Sequence, residues 1–421
     1  MGTAIEAAGL TDVGRTREHN EDFFLSDREL GLHVVCDGMG GHASGEVASR
    51  QAAETVREAV TRDPRFAADD PAGWEAGLRE AITAANAFVH GGGGADHRKR
   101  GMGTTCTVLL LRGSRAVLAH VGDSRLYLAR DGQIHQLSHD HTFVAEALRA
   151  GVITADQAAD SPHGNVLTRA VGPQASVLVD TLPFDVIPGD TLLLCSDGLH
   201  QYVGPAGREL LDALAAGDFA GLPARLVDFA NERGGDDNIT ALAVRMVAAP
   251  PNEEHRVSQK IADLATLRRI HLFCELSMRE LSQLCACLES HVFAPEELIV
   301  EQGDVTDGLY VIVEGEVEVL RDEVKLASLA TGAHFGEMAL LNQRPRTATV
   351  RAKDHCRILQ LPCQAFHGVV QHDQVVGVKV LWRLAQTLSL RLDEAYETPR
   401  QREHARTTLN FGLYPSPFDP T

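Results

Sequence analysis

Short apolar runs bounded by glycines and carboxylates recur through the first 247 positions. They fall at residues 32–36, 105–111, 116–121 and 191–195, and a β-branched run covers 238–247. Runs of this length between turn residues predict buried strands. Alanine-rich stretches between them, such as 46–60, carry helical spacing, so this part of the chain reads as a mixed α and β domain. The four glycines at 91–94, followed by Asp96-His-Arg-Lys-Arg100, predict a mobile loop. The pattern stops at Ala248-Ala-Pro-Pro-Asn252, where two prolines end the last strand. Beyond it, residues 258–289 are helical, 297–361 alternate with period two between glycine turns, and 373–397 are helical again. That order predicts a small β-barrel or roll flanked by helices. Residues 398–421 hold four prolines and little apolar periodicity, which predicts a disordered tail. The expected division is a domain at 1–247, a linker at 248–257, a second domain at 258–397 and the tail at 398–421.

Length and composition agree with two domains, since 421 residues exceed one ordinary core. A hydrophobic content of 44% with 23% charged residues places the chain among globular proteins. The 58 acidic against 39 basic side chains give a formal net charge of −19, which repels phosphate backbones and anionic bilayers. Neither nucleic acid nor a membrane is therefore an expected partner. No apolar run reaches the length of a membrane span, and residues 1–10 lack the order of a signal peptide, so a cytoplasmic location is expected. The 8 cysteines include no CxxC pair and mostly sit in apolar runs, as reduced packing residues do.

The chemistry lies where the apolar runs end. Asp37 follows 32–36, Asp123 follows 116–121, Asp197 follows 191–195, and Asp237 precedes 238–247. A carboxylate at the end of a buried strand is held by a rigid core while staying partly solvated. Several such ends brought together repel one another, and hard divalent cations turn that repulsion into binding. An all-oxygen Mg²⁺ or Mn²⁺ site is the expectation.

Six ordered blocks carry a resemblance. They are Thr11-Asp-Val-Gly-Arg-Thr-Arg-Glu-His-Asn-Glu-Asp22, Cys36-Asp-Gly-Met-Gly-Gly-His42, Gly101-Met-Gly-Thr-Thr105, Val121-Gly-Asp-Ser-Arg125, Cys195-Ser-Asp-Gly198 and Asp237-Asn-Ile-Thr240. Over residues 5–247 the chain resembles the bacterial branch of the metal-dependent serine/threonine protein phosphatases of the PPM type, also called type 2C. The resemblance implies a four-layer αββα sandwich, an α+β fold. It implies that Asp37 bridges two metal ions, that Gly38 offers its carbonyl, and that Asp197 and Asp237 complete the pair. Asp123 with Asp197 would hold a third, weaker ion, and Glu21 and Asp22 would act through water on the metals. Arg17 would clamp the substrate phosphate, a task suited to a planar, bidentate donor. Animal members carry histidine directly after Asp-Gly as a candidate general acid, and Met39 stands there in this chain; His42 could protonate the leaving oxygen instead, or be a structural or substrate-facing histidine. Residues 137–169 match the flap of the bacterial branch, placing His139 and His141 near substrate rather than on metal.

The second domain contains Phe335-Gly-Glu-Met-Ala-Leu-Leu-Asn-Gln-Arg-Pro-Arg-Thr-Ala-Thr349. A turn opening a short helix frees backbone N–H groups, and with an arginine these make an anion pocket. This stretch resembles the phosphate-binding cassette of cyclic nucleotide-binding domains, over roughly residues 270–392. By position, Glu337 would take the ribose hydroxyl and Arg346 the cyclic phosphate, with the N–H groups of Gly336, Glu337 and Met338 and with Ala339 lining the pocket. Thr347 suits guanine as well as adenine, leaving cyclic AMP and cyclic GMP both open. Val376, Val380, Leu384, Leu388 and Leu392 share one helix face that could cover the base or pair with a second subunit as a homodimer.

The reading that follows is a metal-dependent phosphoserine/phosphothreonine phosphatase regulated in cis by a cyclic nucleotide, with phosphorylated proteins and a cognate serine/threonine kinase as partners. A second domain serving only dimerisation or partner binding, or a catalytically dead sensor, is the alternative. A transcription factor is excluded because only the tail follows the last helix and the charge is −19.

Overall fold

In the computed structural model, which describes residues 4–40, 43–95, 101–159, 161–164, 166–305, 308–340 and 345–396, the apolar runs are strands of two antiparallel five-stranded sheets. One sheet runs Ala4–Asp12, Ile239–Ala248, Thr191–Cys195, Arg125–Arg130, Gln133–Gln136. The other runs Asp180–Asp185, Arg115–Val121, Cys106–Arg112, Leu32–Cys36, Phe23–Asp27. Leu32–Cys36 and Thr191–Cys195 are buried at every position, which is why they read as continuous apolar runs without alternation.

Helices Ala43–Arg62 and Pro71–Ala95 cover the outer face of the second sheet, burying Val56, Trp74, Leu78 and Ile82 against Val34, Val108 and Val117. Helix Leu222–Glu232 covers the first sheet through Leu222, Leu226 and Ala230 packed on Leu193, Ala241 and Ala243. These are the four layers of an αββα sandwich. Each large side chain fully buried in this way contributes about 1.5–3 kcal/mol. Glycines 91–94, expected to form a mobile loop, instead continue the helix Pro71–Ala95. A helix already twenty residues long adds a hydrogen bond for each further residue, which offsets about 1 kcal/mol per glycine.

The chain divides into two compact units, Met1–Val257 and Ser258–Thr421. Helix Glu254–Arg269 begins inside the stretch expected to be a linker. Its first turn belongs to the first unit, where Arg256 pairs with Asp185 at 2.7 Å and Glu253 accepts from the Ser114 amide at 3.0 Å.

In the second unit two antiparallel four-stranded sheets run Glu289–Phe293, Cys356–Leu361, Leu309–Glu314, His334–Phe335 and Leu298–Val300, Thr349–Ala352, Glu316–Arg321, Val324–Ala330. Their shared interior holds Ile312, Val317, Val350 and Ile358. Helices Met278–Cys285, Cys363–His372 and Gln374–Tyr396 pack outside this roll. Val376, Val380 and Leu384 are fully buried in that unit's own core, so they are not a free face for a lid or a second subunit. Among the described side chains of the helix, Val378, Leu381 and Trp382 are the large apolar ones that are exposed. The tail expected at 398–421 lies outside the described residues.

All eight cysteines are free thiols, five of them buried. Among the described residues no helix is long and apolar enough to cross a membrane.

Candidate functional site

The first unit gathers its carboxylates from five strand ends. Asp22 precedes Phe23–Asp27, Asp37 follows Leu32–Cys36, Asp123 follows Arg115–Val121, Asp197 follows Thr191–Cys195, and Asp237 precedes Ile239–Ala248. Hydrogen bonds from neighbouring strands hold their backbones. The Asp37 amide donates to Thr105 Oγ1 (2.9 Å), and its carbonyl accepts from the Thr105 amide (2.8 Å) and Thr104 Oγ1 (2.9 Å). The Gly38 amide donates to the Glu21 carbonyl at 3.2 Å. A Cβ at residue 38 would lie 2.3 Å from the Gly45 carbonyl oxygen and 2.5 Å from that of Glu21, so only glycine allows this approach.

Asn238 fastens the loop that carries Arg17 and Glu21. Its Nδ2 donates to the carbonyls of Val13 (3.0 Å) and His19 (2.9 Å), and its Oδ1 accepts from the Glu21 amide (2.8 Å). Arg17 Nη2 reaches Asp237 Oδ2 at 2.7 Å, with the arginine side chain about half exposed.

Burial and mutual repulsion govern the titration of the cluster. Burial pushes Asp22 up to about 8, with Asp197 and Asp237 adding to the rise against hydrogen bonds from Thr240 and Ser196. Asp123 rises to about 7, first through burial and then through Asp197 and Asp140. Asp37 is pushed well above the carboxylate range by burial and by Asp22, Asp197, Asp123 and Asp237. Asp197 also rises, through burial and Asp237, against a hydrogen bond with Asp37. Oδ1 of Asp22 and Oδ1 of Asp197 are buried and receive no hydrogen bond. Acidic groups that raise one another's pKa, with oxygens left unfilled, fit hard divalent cations. Among the described residues, no group of three or more His, Cys, Asp or Glu side chains is already gathered closely enough to hold a metal ion.

The site residues expected from the sequence thus fall in one place: Arg17, Glu21, Asp22, Asp37, Gly38, Asp123, Asp197 and Asp237. His42 lies outside the described residues. His141 is not at the surface where substrate would meet it; it is 1% exposed, with Nδ1 accepting from the Gly122 amide (3.1 Å) and Nε2 3.3 Å from Asp180. Sequence reasoning missed the roles of Asn238, Thr105 and His200. The first two stand inside quoted blocks, whereas His200 follows one and had no signal. His200 Nε2 donates to the Asp123 carbonyl at 2.9 Å, and burial lowers its pKa to about 4, keeping the ring neutral.

In the second unit Glu337 opens a single helical turn, Glu337–Leu340, and is 4% exposed, while Met338 and Thr347 are exposed. The side chain of Ala339 is outside the description. Arg346 Nη2 donates to the Gly308 carbonyl (2.9 Å) and Nη1 to that of Gly336 (3.5 Å), and its guanidinium lies 5.4 Å from the Tyr310 ring centre. The arginine expected to have only an anion to hold therefore already bridges two carbonyls. Tyr310 stacks on Phe335 at 5.1 Å beside it.

Comparison with known proteins places both units. The Protein phosphatase 2C family model matches residues 14–243, and the Cyclic nucleotide-binding domain model matches 290–373. The serine/threonine phosphatase stp of Listeria welshimeri is 38% identical over 245 residues, 57% of this chain and 95% of the relative. The crystal structure of the Mycobacterium tuberculosis serine/threonine phosphatase PstP/Ppp is similar at a TM-score of 0.52 and 34% identity, covering 57% of this chain and 98% of that one. A PstP catalytic domain in complex with 2 manganese ions gives a TM-score of 0.50 and 33% identity, covering 57% and 97%. A match over more than half the chain, with the carboxylate blocks on the strand ends of the same fold, is decisive: the chain belongs to the protein phosphatase 2C family of serine/threonine phosphatases and carries a cyclic nucleotide-binding domain after its phosphatase unit.

Proposed function

We propose that the first unit hydrolyses phosphoserine and phosphothreonine in proteins with Mn²⁺ or Mg²⁺ held by Asp37, Asp197, Asp237 and the Gly38 carbonyl, and with Asp123 and Asp197 holding a further, weaker ion. The elevation of Asp37, Asp123 and Asp197 by burial and by neighbouring carboxylates, with Oδ1 of Asp197 and Oδ1 of the adjacent Asp22 buried and without a hydrogen bond, carries this reading. Divalent cations supply charge neutralisation and an activated water for attack on phosphorus. The chain's own residues do the rest. Arg17, on a loop fixed by Asn238, exchanges Asp237 for the incoming phosphate and orients it. Glu21 and Asp22 would act through water beside the cluster, with the buried Asp22 held by Ser196 and Thr240 at 2.7 and 2.6 Å. A cognate serine/threonine kinase is the partner that makes the substrate.

In this reading the second unit binds cyclic AMP or cyclic GMP through Glu337, Arg346 and the N–H groups of the Glu337–Leu340 turn, and binding changes the phosphatase rate. The alternative, a unit serving only dimerisation or partner binding, has one observation in its favour, the engagement of Arg346 by two carbonyls. Hydrolysis of an aryl phosphate and of a phosphothreonine peptide with Mn²⁺, each with and without chelator and each nucleotide, tests all parts. Chelator and Asp37→Asn should abolish turnover, and turnover in either case refutes the metal reading. Arg346→Ala should lose nucleotide binding by calorimetry together with any nucleotide effect on rate; binding of neither nucleotide to the native chain leaves the alternative.

A further inference from the structure

Three buried histidines surround one peptide of the phosphatase unit. His120 and His141 are fully or almost fully buried, with ring centres 4.9 Å apart, and His200 is 8% exposed. Gly122 lies between the first two. Its amide donates to His141 Nδ1 (3.1 Å), and its carbonyl accepts from the His141 amide (2.8 Å) and from His120 Nε2 (2.9 Å). The next carbonyl, that of Asp123, accepts from His200 Nε2 at 2.9 Å. Residue 122 has φ +111°, and a Cβ there would lie 2.6 Å from Thr105 Cβ, so the peptide is pressed against the threonine that caps Asp37.

The other edge of the buried His141 ring faces Asp180 and Arg169, the last residue of the flap stretch, whose Nη1 stands 3.3 Å from Nε2. Nε2 is 3.3 Å from Asp180 Oδ2, while Arg169 donates to Asp180 Oδ1 at 2.8 Å. The His141 carbonyl accepts from the Thr168 amide at 2.8 Å, and Thr168 Oγ1 donates to Glu146 at 2.7 Å. One ring therefore touches both the flap's anchor and the peptide that carries Asp123.

We propose that His141 and His200 are positioning residues that hold the Gly122–Asp123 backbone, that His120 supports them, and that His141 ties the placement of Asp123 to the anchored flap. This rests on the assignment of Asp123 to the metal-holding set. None of the three rings is a ligand in this arrangement, since each of the nitrogens facing the 122–123 backbone is already committed to it. Outer hydrogen-bond partners of this kind change metal affinity by about 10- to 100-fold when removed.

The test uses the full chain and five variants, four of them in two matched pairs and the fifth Asp123→Asn. Asn at 141 keeps an acceptor where Nδ1 stands and Gln does not; Gln at 200 keeps a donor where Nε2 stands and Leu does not. Two readouts are taken: Mn²⁺ binding followed by electron paramagnetic resonance, and exchange of the Gly122 amide in metal-free protein by NMR. His141→Gln and His200→Leu should weaken the loosest class of Mn²⁺ sites by about 10- to 100-fold. His141→Gln should also speed Gly122 exchange, while His141→Asn and His200→Gln stay within about threefold of native on both readouts, well inside the range of a lost outer contact. Equal Mn²⁺ affinity within each pair, or unchanged Gly122 exchange in His141→Gln, overturns the proposal. Should His141→Gln not fold, the His200 pair decides by Mn²⁺ binding alone. Native-like Mn²⁺ binding by Asp123→Asn refutes the assignment of Asp123, a failure distinct from that of the histidine cradle, which the amide exchange reads directly.

Discussion

Removing the Asn238 side chain should free the loop that presents Arg17 and Glu21 while leaving the carboxylate cluster in place. Asn238 is 5% exposed and spends its amide on three backbone groups, the carbonyls of Val13 and His19 and the amide of Glu21. A typical intramolecular hydrogen bond contributes about 1 kcal/mol net, so Asn238→Ala should weaken local order by about 3 kcal/mol. At about 1.4 kcal/mol per factor of ten, exchange of the Glu21 amide should accelerate roughly 100-fold in the full chain. Asn238→Asp keeps the acceptor for Glu21 and loses the two donors, so its effect on that amide should be smaller. Turnover should fall with loop order, because Arg17, the proposed phosphate clamp, no longer orients its ligand when the loop wanders. Hydrogen exchange of residues 13–22 and kcat/KM for an aryl phosphate are the two measurements. If Asn238→Ala leaves both within about threefold of native, a change worth under about 1 kcal/mol, the three contacts do not hold the loop and the reasoning fails.

Arg17→Ala should lower kcat/KM by about 10- to 100-fold, the range of one charge-assisted hydrogen bond, yet change unfolding free energy by less than about 1 kcal/mol because its pair with Asp237 is half exposed. Loss of Mn²⁺ affinity in that variant would show that the arginine serves the metals instead. Burial lowers His33 to about 4, so the folded unit resists a proton that the unfolded chain accepts near 6.5. The contribution of His33 to stability should therefore be full above pH 6.5 and fall by about 3 kcal/mol as pH drops towards 4, and His33→Gln should remove that part of the slope in denaturant titrations. An unchanged slope would refute the assignment. Arg130 and Asp190 pair at 2.6 Å with both side chains at most 5% exposed, so Arg130→Met should cost about 3–5 kcal/mol by stranding a buried carboxylate, read as a lowered denaturation midpoint of the first unit. A midpoint within experimental error of native would mean that the carboxylate is solvated on unpairing.

What the sequence determined by itself is local in origin. Runs such as 32–36 and 191–195 read as buried strands, because mostly apolar runs of five residues between turn signals have strand length rather than helix length, and the carboxylates after them then sit at strand ends. The double proline at 250–251 had to end the last strand of the first unit. The repeated Asp blocks made the family and the metal-type chemistry legible before any coordinate. Tertiary structure decided whatever depends on groups far apart in sequence. Glycines 91–94 became helix because a long packed helix precedes them, and the Val376, Val380, Leu384 face became core because the roll covers it. Arg346 found carbonyls at Gly308 and Gly336, and Arg17 found Asp237, 220 residues away. Asn238 and His200 acquired their tasks in the same way. A periodicity states which face of an element is apolar, but a hydrogen-bond partner is chosen by the fold, since a buried polar group must be satisfied by whatever the packing brings within 3 Å or so.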